Sequence, residues 1–95
     1  MSPRPRKKRC CEGTFLGQTF KPNGIPLSKL NRITLYRDEL EALRLCDVEG
    51  LFQEQAGERM GISRGTVQRI LTSARKKTAE ALVSGAALVI TETEE

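Results

Sequence analysis

The sequence contains no histidine and no tryptophan. Histidine is the usual general base of enzymes and a common nitrogen ligand of metals, so its absence removes most ways of building an active site. A serine or threonine without such a base is a weak nucleophile, and the sequence has no glycine-rich phosphate-binding loop. We therefore expect a protein that is not an enzyme and that needs no metal or cofactor.

Cysteines are few, and long apolar runs are missing. Cys10, Cys11 and Cys46 form an odd set, and two adjacent cysteines are poorly placed for a disulfide or a tetrahedral metal site. Reduced thiols are typical of the cytosol. No run of about twenty apolar residues could span a bilayer, and no basic start with an apolar stretch marks a secretory signal. We expect a cytoplasmic protein with no membrane partner.

Positive charge is concentrated in two segments, although the net charge is only +4. Each segment contains five cations and no acidic residue. Two separated basic elements suit double-stranded DNA, because each neutralised phosphate releases counterions. An anionic membrane is the weaker alternative, since the first segment has no Trp, Phe or Leu to insert and no lipidation signal. The cations are Arg4, Arg6, Lys7, Lys8 and Arg9, then Arg64, Arg69, Arg75, Lys76 and Lys77.

The 95 residues suffice for one globular unit with tails. Pro3 and Pro5 predict an extended basic arm over residues 1–13, which is either a solubilising tail or an arm on the DNA backbone or in the minor groove. Residues 14–91 form the predicted domain, and residues 92–95 an acidic tail. The domain is predicted to be mainly α, with a three-helix helix-turn-helix core and short strands towards its N- and C-terminal ends.

The predicted helices cover residues 37–48, 53–60 and about 64–83, and the predicted strands cover residues 14–20 and 86–91. Leu45 faces away from the apolar side of the first helix, so it either packs against the terminal segments or joins a subunit interface. Glycines end the three helices: Gly50, Gly61 and Gly85. The apolar side of the first helix consists of Leu40, Ala42, Leu43 and Cys46, with Glu39 outside it. Apolar anchors precede this helix at Ile25, Leu27, Leu30, Ile33 and Leu35.

Residues 53–71 carry the pattern of a helix-turn-helix. Two helices that cross over a short turn need a small residue where they touch, and Gly57 provides it. Gly61 allows the positive φ that opens the turn, and Ser63 can cap the following helix through its hydroxyl. The i, i+3, i+4, i+7 spacing of a buried stripe follows at Val67, Ile70, Leu71 and Ala74.

The exposed side of the third helix supplies the candidate DNA contacts. Arginine can form two hydrogen bonds with guanine, glutamine can pair with adenine, and a threonine methyl can touch thymine, so four residues are predicted to read bases. They are Arg64, Thr66, Gln68 and Arg69. Phosphate contacts, which orient without specifying sequence, are assigned to Ser63, Thr72, Arg75, Lys76, Lys77 and the five cations of the arm.

One helix of this kind reads only a few base pairs, so specific binding usually needs a second reader. We therefore predict a homodimer on a pseudo-palindromic site. The third helix is longer than DNA reading requires, so its surplus end, Ala81, Leu82 and Val83, and the two predicted strands are the expected interface.

These motifs also resemble a family of short bacterial and archaeal proteins of unknown function, predicted to bind DNA, with a helix-turn-helix similar to region four of sigma factors. The resemblance implies a transcriptional regulator. It covers residues 3–7, 20–27, 39–45, 49–51, 53–54 and 63–74, and Asp47.

The chain departs from this family at two expected helix caps and in its cysteines. Family members commonly have serine where this chain has Tyr36 and Phe52, which implies the loss of both caps, at about 1 kcal/mol each, and a shift of the helix starts. The family often has spaced N-terminal cysteines, whereas Cys10 and Cys11 are adjacent. Two alternative functions stay open: a protein-interaction module that contacts the transcription machinery, and a metal or redox sensor that uses Cys10 and Cys11.

Overall fold

The structure is a computed structural model that describes residues 18–92. Over these residues the chain is mainly helical, with three α-helices and a small three-stranded sheet. Several predicted features lie outside the described residues: the basic arm with Cys10 and Cys11, residues 14–17 of the first predicted strand, and residues 93–95 of the tail.

The helices lie where the sequence predicts them. Helix α1, Arg37–Leu43, continues as a π-helical segment, Arg44–Val48. Helix α2 covers Gln53–Met60 and helix α3 covers Arg64–Ser84. We call α2, α3 and the turn of residues 61–63 the helical pair. Glycines with positive φ follow the helical segments, as predicted, at Gly50, Gly61 and Gly85.

The first turns of α1 and α2 lack the caps that serine would provide. Neither Tyr36 nor Phe52 caps its helix with a side chain, as the resemblance implied. The helix starts nevertheless do not shift, because a side chain three residues on accepts the amide of each cap residue. Glu39 Oε1 lies 2.9 Å from Tyr36 N, and Gln55 Oε1 lies 2.9 Å from Phe52 N. Half of a capping box thus persists at both helices.

The sheet joins both ends of the described segment. Its strands are β1, Thr19–Phe20, β2, Arg32–Tyr36, and β3, Ala87–Thr91, in the order β1-β3-β2. Strand β3 pairs antiparallel with β1 and parallel with β2. The two predicted strands correspond to β1 and β3, but β2 was not predicted. Ile33 and Leu35 were expected only as anchors, although their alternation with polar residues is typical of a strand.

Two clusters of buried side chains share α3. The sheet cluster joins Leu35, Ala74 and Ile90, and the partly buried Leu40, Leu43 and Leu88 pack against it. The helical-pair cluster joins Leu45, Ala56 and Val67, against which Cys46, Leu51, Met60 and Ile62 pack.

The position of Leu45 corrects a prediction. Its side chain is fully buried against Ala56 and Val67. It therefore packs neither on the terminal segments nor in a subunit interface. The prediction from periodicity allowed this helix only one buried side. In the structure α2 packs on a second side, and Leu45 lies on that side.

Candidate nucleic-acid interface

The helical pair is held by a close contact at Gly57. A Cβ atom at this position would lie 2.7 Å from the backbone oxygen of Ile62 and 3.5 Å from Val67 Cγ2. Any other residue would therefore push α2 away from the turn and from α3. The turn itself begins at Gly61, whose φ of 73° is strained for a residue with a side chain. The two glycines together fix the angle and distance between α2 and α3.

The first turn of α3 is closed by a small hydrogen-bond network. Ser63 Oγ accepts from the amide of Thr66 at 3.1 Å, which confirms the predicted cap, and contacts Thr66 Oγ1 at 2.9 Å. Arg69 Nη2 donates to Thr66 Oγ1 at 3.3 Å. Because the Thr66 hydroxyl is engaged in the cap, its methyl group is the part left for an apolar contact. The bond from Arg69 holds its guanidinium near the N-terminal end of the helix.

The predicted base-reading residues lie together on the first two turns of α3. Arg64, Gln68 and Arg69 are exposed, and Thr66 is half-buried beside the cap. Neither Arg64 nor Arg69 forms an ion pair with any residue in the range 18–92. Thr72, one turn beyond Gln68, is also exposed. The structure therefore gathers polar end groups at one end of a single helix and leaves them open to solvent.

Arg75, a predicted phosphate contact, forms a two-pronged ion pair with Asp47 of the π-helical segment. Its Nε lies 3.1 Å from Oδ2, and its Nη2 lies 2.7 Å from Oδ1. Hydrogen bonding from the guanidinium lowers the pKa of Asp47 and outweighs the opposing effect of desolvation. The two residues are 28 positions apart, so no spacing pattern could reveal the pair. Nη1 takes no part in it, and the arginine side chain stays exposed.

Lys77, another predicted phosphate contact, is engaged inside the protein. Its Nζ donates to Glu39 Oε1 at 2.8 Å and lies 4.6 Å from the centre of the Tyr36 ring. Ser73 Oγ donates to the other oxygen of Glu39 at 2.6 Å. Glu39 is only 6% exposed, which corrects its predicted place outside the apolar side of α1. The three cations of residues 75–77 thus have different surroundings. Among them, Lys76 is the one that forms no ion pair within residues 18–92.

The ionisation of Glu39 depends on these donors. Burial removes water from the carboxylate, which by itself would raise its pKa. Hydrogen bonds from Lys77, Ser73 and the Tyr36 amide outweigh that cost, and the net effect lowers the pKa below its ordinary value. Glu39 is therefore a charged group at neutral pH that ties α1 to α3.

Cys46 is half-buried, in keeping with its predicted place in the apolar side of the helix. Desolvation raises the pKa of its thiol, and the neighbouring Asp47 raises it further. Across residues 18–92, cysteine and acidic side chains form no group of three that could hold a metal ion.

No helix in the described part of the chain is long and apolar enough to cross a membrane.

Comparison with known proteins identifies relatives whose role is not described. A family described as a protein of unknown function, DUF134, matches residues 1–95. A UPF0251 protein of Shewanella sediminis is 52% identical over 88 residues, which are 93% of this chain and 92% of the relative. No solved structure gives a significant match.

Other relatives are longer than this chain. A UPF0251 protein of Desulforudis audaxviator is 55% identical over 85 residues, which are 87% of this chain but 56% of the relative. One of Pelotomaculum thermopropionicum is 52% identical over 90 residues, 94% of this chain and 67% of the relative. The chain therefore spans little more than half of the first of these proteins and two thirds of the second.

Proposed function

The chain belongs to the DUF134 family of proteins of unknown function, and we propose that it is a cytoplasmic, non-enzymatic protein that binds specific sequences in double-stranded DNA and regulates transcription. In this proposal the helical pair is a helix-turn-helix, similar to region four of sigma factors. The observation that carries the proposal is the close contact at Gly57, which packs α2 tightly against the turn and α3, whose first turns are exposed.

We assign the recognition role to the N-terminal half of α3, lying in the major groove. Arg64 and Arg69 suit guanine, Gln68 suits adenine, and the methyl group of Thr66 suits the methyl group of thymine. The cap geometry supports this assignment, since the Thr66 hydroxyl is used internally and Arg69 is held towards the same end. A helix enters the groove with these first turns leading.

Phosphates on either side of the groove would be met by Ser63, Thr72, Arg75 and Lys76. Asp47 compensates part of the charge of Arg75, so Lys76 should supply the larger electrostatic share. We leave Lys77 out of the interface because Glu39 holds it. The basic arm, Arg4, Arg6, Lys7, Lys8 and Arg9, keeps its predicted role on the DNA backbone or in the minor groove.

The purified chain is first used to select bound fragments from a random DNA pool, which identifies its preferred DNA sequence. Binding isotherms on that sequence and on random DNA then test the roles of the individual residues. Arg69→Ala should weaken binding to the selected site by about 1–3 kcal/mol, roughly 5- to 150-fold, with little effect on random DNA. Lys76→Ala should weaken both equally, because a phosphate contact carries no sequence information. Arg32→Ala removes an equal charge from an exposed position of β2 and should change neither.

Two results would overturn the assignment. An equal loss on random DNA for Arg69→Ala would remove its base-reading role. If the chain shows no affinity for DNA that decreases as the salt concentration is raised, DNA binding as a whole is excluded.

A second candidate, a protein-interaction module of the transcription machinery, has one observation in its favour. Val48 and Phe52, which flank the loop before α2, are 78% and 77% exposed. Two apolar side chains of this size, exposed at the ends of one short loop, favour a protein contact. The salt series decides between the two candidates, because only the first requires DNA affinity.

A further inference from the structure

The C-terminal end of α3 presents apolar side chains to solvent. Leu82 is 80% exposed and Val83 is 89% exposed, although Ala81 beside them is buried. Phe20 of β1, which is 57% exposed, lies near this end. Phe20 and Leu82 line one groove of about 270 Å³, with Ala81 and Leu88 among its other lining residues. The last turns of α3 are thus apolar both towards the protein and away from it.

The size of this surface is that of an interface centre. Together, three side chains exposed to this degree present on the order of 400 Å² of apolar surface, which is the size of the largest apolar patch on many monomers, a patch that is often functional. A standard protein interface takes about 800 Å² from each partner, with an apolar centre and a polar rim. Phe20, Leu82 and Val83 could therefore form the centre, and the polar groups around them the rim.

The charges at the rim suit contact with an identical surface. Lys21 lines the groove, where its Nζ donates to the Ile25 carbonyl at 2.7 Å, and Glu80 is exposed one turn before Val83 and Ser84. One cation and one anion leave the patch near neutrality, so two copies brought together do not repel each other. A two-fold axis also brings Lys21 and Glu80 of both copies into the same interface, so that each rim offers a charge of either sign to the other. The N-terminal half of α3, with Arg64 and Arg69, is cationic and would repel its own copy.

We propose that a second copy of this chain covers this surface, with the two-fold axis beside Leu82 and Val83. The structure changes the predicted interface in two respects. Ala81 lies inside the protein, and β3 has both of its edges paired, with β1 and with β2, so neither is available to a partner. Leu82, Val83 and the short strand β1 with Phe20 remain.

The proposed axis would also complete the DNA site. This step rests on the proposed function, whereas the proposal that a second copy covers the surface does not. Thr66 and Leu82 are 16 residues apart in α3, about 24 Å along its axis. Two such helices joined near their C-terminal ends can separate their reading turns by up to about 48 Å, and by less when they are inclined. This range includes the roughly 34 Å between major-groove faces one helical turn apart.

The oligomeric state of the full chain, measured without DNA by light scattering after gel filtration, tests the proposal. The unsubstituted chain should elute as a dimer. The double substitution Leu82→Glu with Val83→Glu should give a monomer with an unchanged far-ultraviolet dichroism spectrum, because both side chains are exposed in the single chain. Val48→Glu, a matched change at a side chain that is 78% exposed outside this surface, should leave the dimer intact.

Two results would overturn the proposal: a monomeric unsubstituted chain over the concentrations used for DNA binding, or a double variant that stays dimeric. If another segment of the chain or a different protein covers the surface, the purified chain is monomeric and the first result follows. The measurement contains no DNA, so a failure of DNA binding leaves the dimer standing. A monomer that still binds DNA specifically would remove only the dimer.

Discussion

The two clusters that share α3 are held together in different ways. The helical-pair cluster of Leu45, Ala56 and Val67 is apolar throughout and is closed by a contact that tolerates no side chain at Gly57. The sheet cluster is also apolar at its centre, but the carboxylate of Glu39 is buried where α1 crosses α3, with Ser73 and Lys77 as its donors.

Because of this difference, the stability of the two clusters should respond to different changes. Shape and volume determine the helical-pair cluster, so changes of side-chain size should matter there and pH should not. The junction beside the sheet cluster depends in addition on a charge, whose loss leaves a half-buried lysine without its partner. Three substitutions test the comparison by unfolding in urea.

The largest effect is expected from Leu45→Ala. The side chain is fully buried, so its truncation removes apolar contacts and leaves a cavity, which costs about 2–5 kcal/mol of unfolding free energy. Val48→Ala, three residues on and mostly exposed, should change stability by less than about 0.5 kcal/mol. If both variants lose equally little, Leu45 does not belong to the core.

Gly57→Ala should come next. Alanine gains about 1 kcal/mol of helix propensity, but its Cβ would meet the fixed backbone oxygen of Ile62, so we expect a net loss of about 1–3 kcal/mol. The matched control is Gly65→Ala in α3, where a Cβ has nothing within 4 Å, so stability should be unchanged or rise by up to about 1 kcal/mol. Equal stabilisation by both alanines would show that the close contact is not required.

Glu39→Gln should have the smallest effect at neutral pH, about 1 kcal/mol, because the amide still accepts hydrogen bonds but no longer pairs with Lys77. The effect should depend on pH. The pKa of Glu39 is lowered in the folded protein, so its contribution is complete above the unfolded value, about 4.3, and is lost as pH falls through the lower folded value.

The difference in unfolding free energy between the unsubstituted chain and Glu39→Gln should therefore shrink as the pH is lowered from about 5 to about 3. Glu54→Gln, at an exposed position of α2, should show no comparable trend. A difference for Glu39→Gln that stays constant over this range would mean that shape, and not charge, holds this junction as well.

The helices were predictable because their signals are local. Glycines follow the helical segments, Ser63 caps α3, and Val67 and Leu71 repeat at helical spacing, so each bound can be read within a few residues of sequence. The position of Gly57 at the helix contact followed from the same local pattern. The candidate DNA contacts on the first turns of α3 were likewise named from sequence, and their function stays a prediction.

Features that depend on distant partners were not predictable. Strand β2 pairs with β3, so Arg32 meets Ala87 far along the chain, and no turn residue separates β2 from α1 to mark its end. Glu39 is polar and was placed outside the core, because its donors Ser73 and Lys77 lie on another helix. Lys77 was grouped with Arg75 and Lys76 as neighbours in sequence, although the fold separates the three.

The order of the strands has a consequence for a chain that emerges from the ribosome residue by residue. Strand β3 is the centre of the sheet and the last of the described elements, and neither β1 nor β2 pairs with the other. No strand pairing of this sheet can therefore exist until Ala87–Thr91 has been synthesised. Leu45, Ala56 and Val67 are all available at least twenty residues earlier, and contacts over shorter separations close at a lower entropic cost. Translation thus delivers the residues of the helical-pair cluster first, while β1 and β2, both already synthesised, still lack their partner strand.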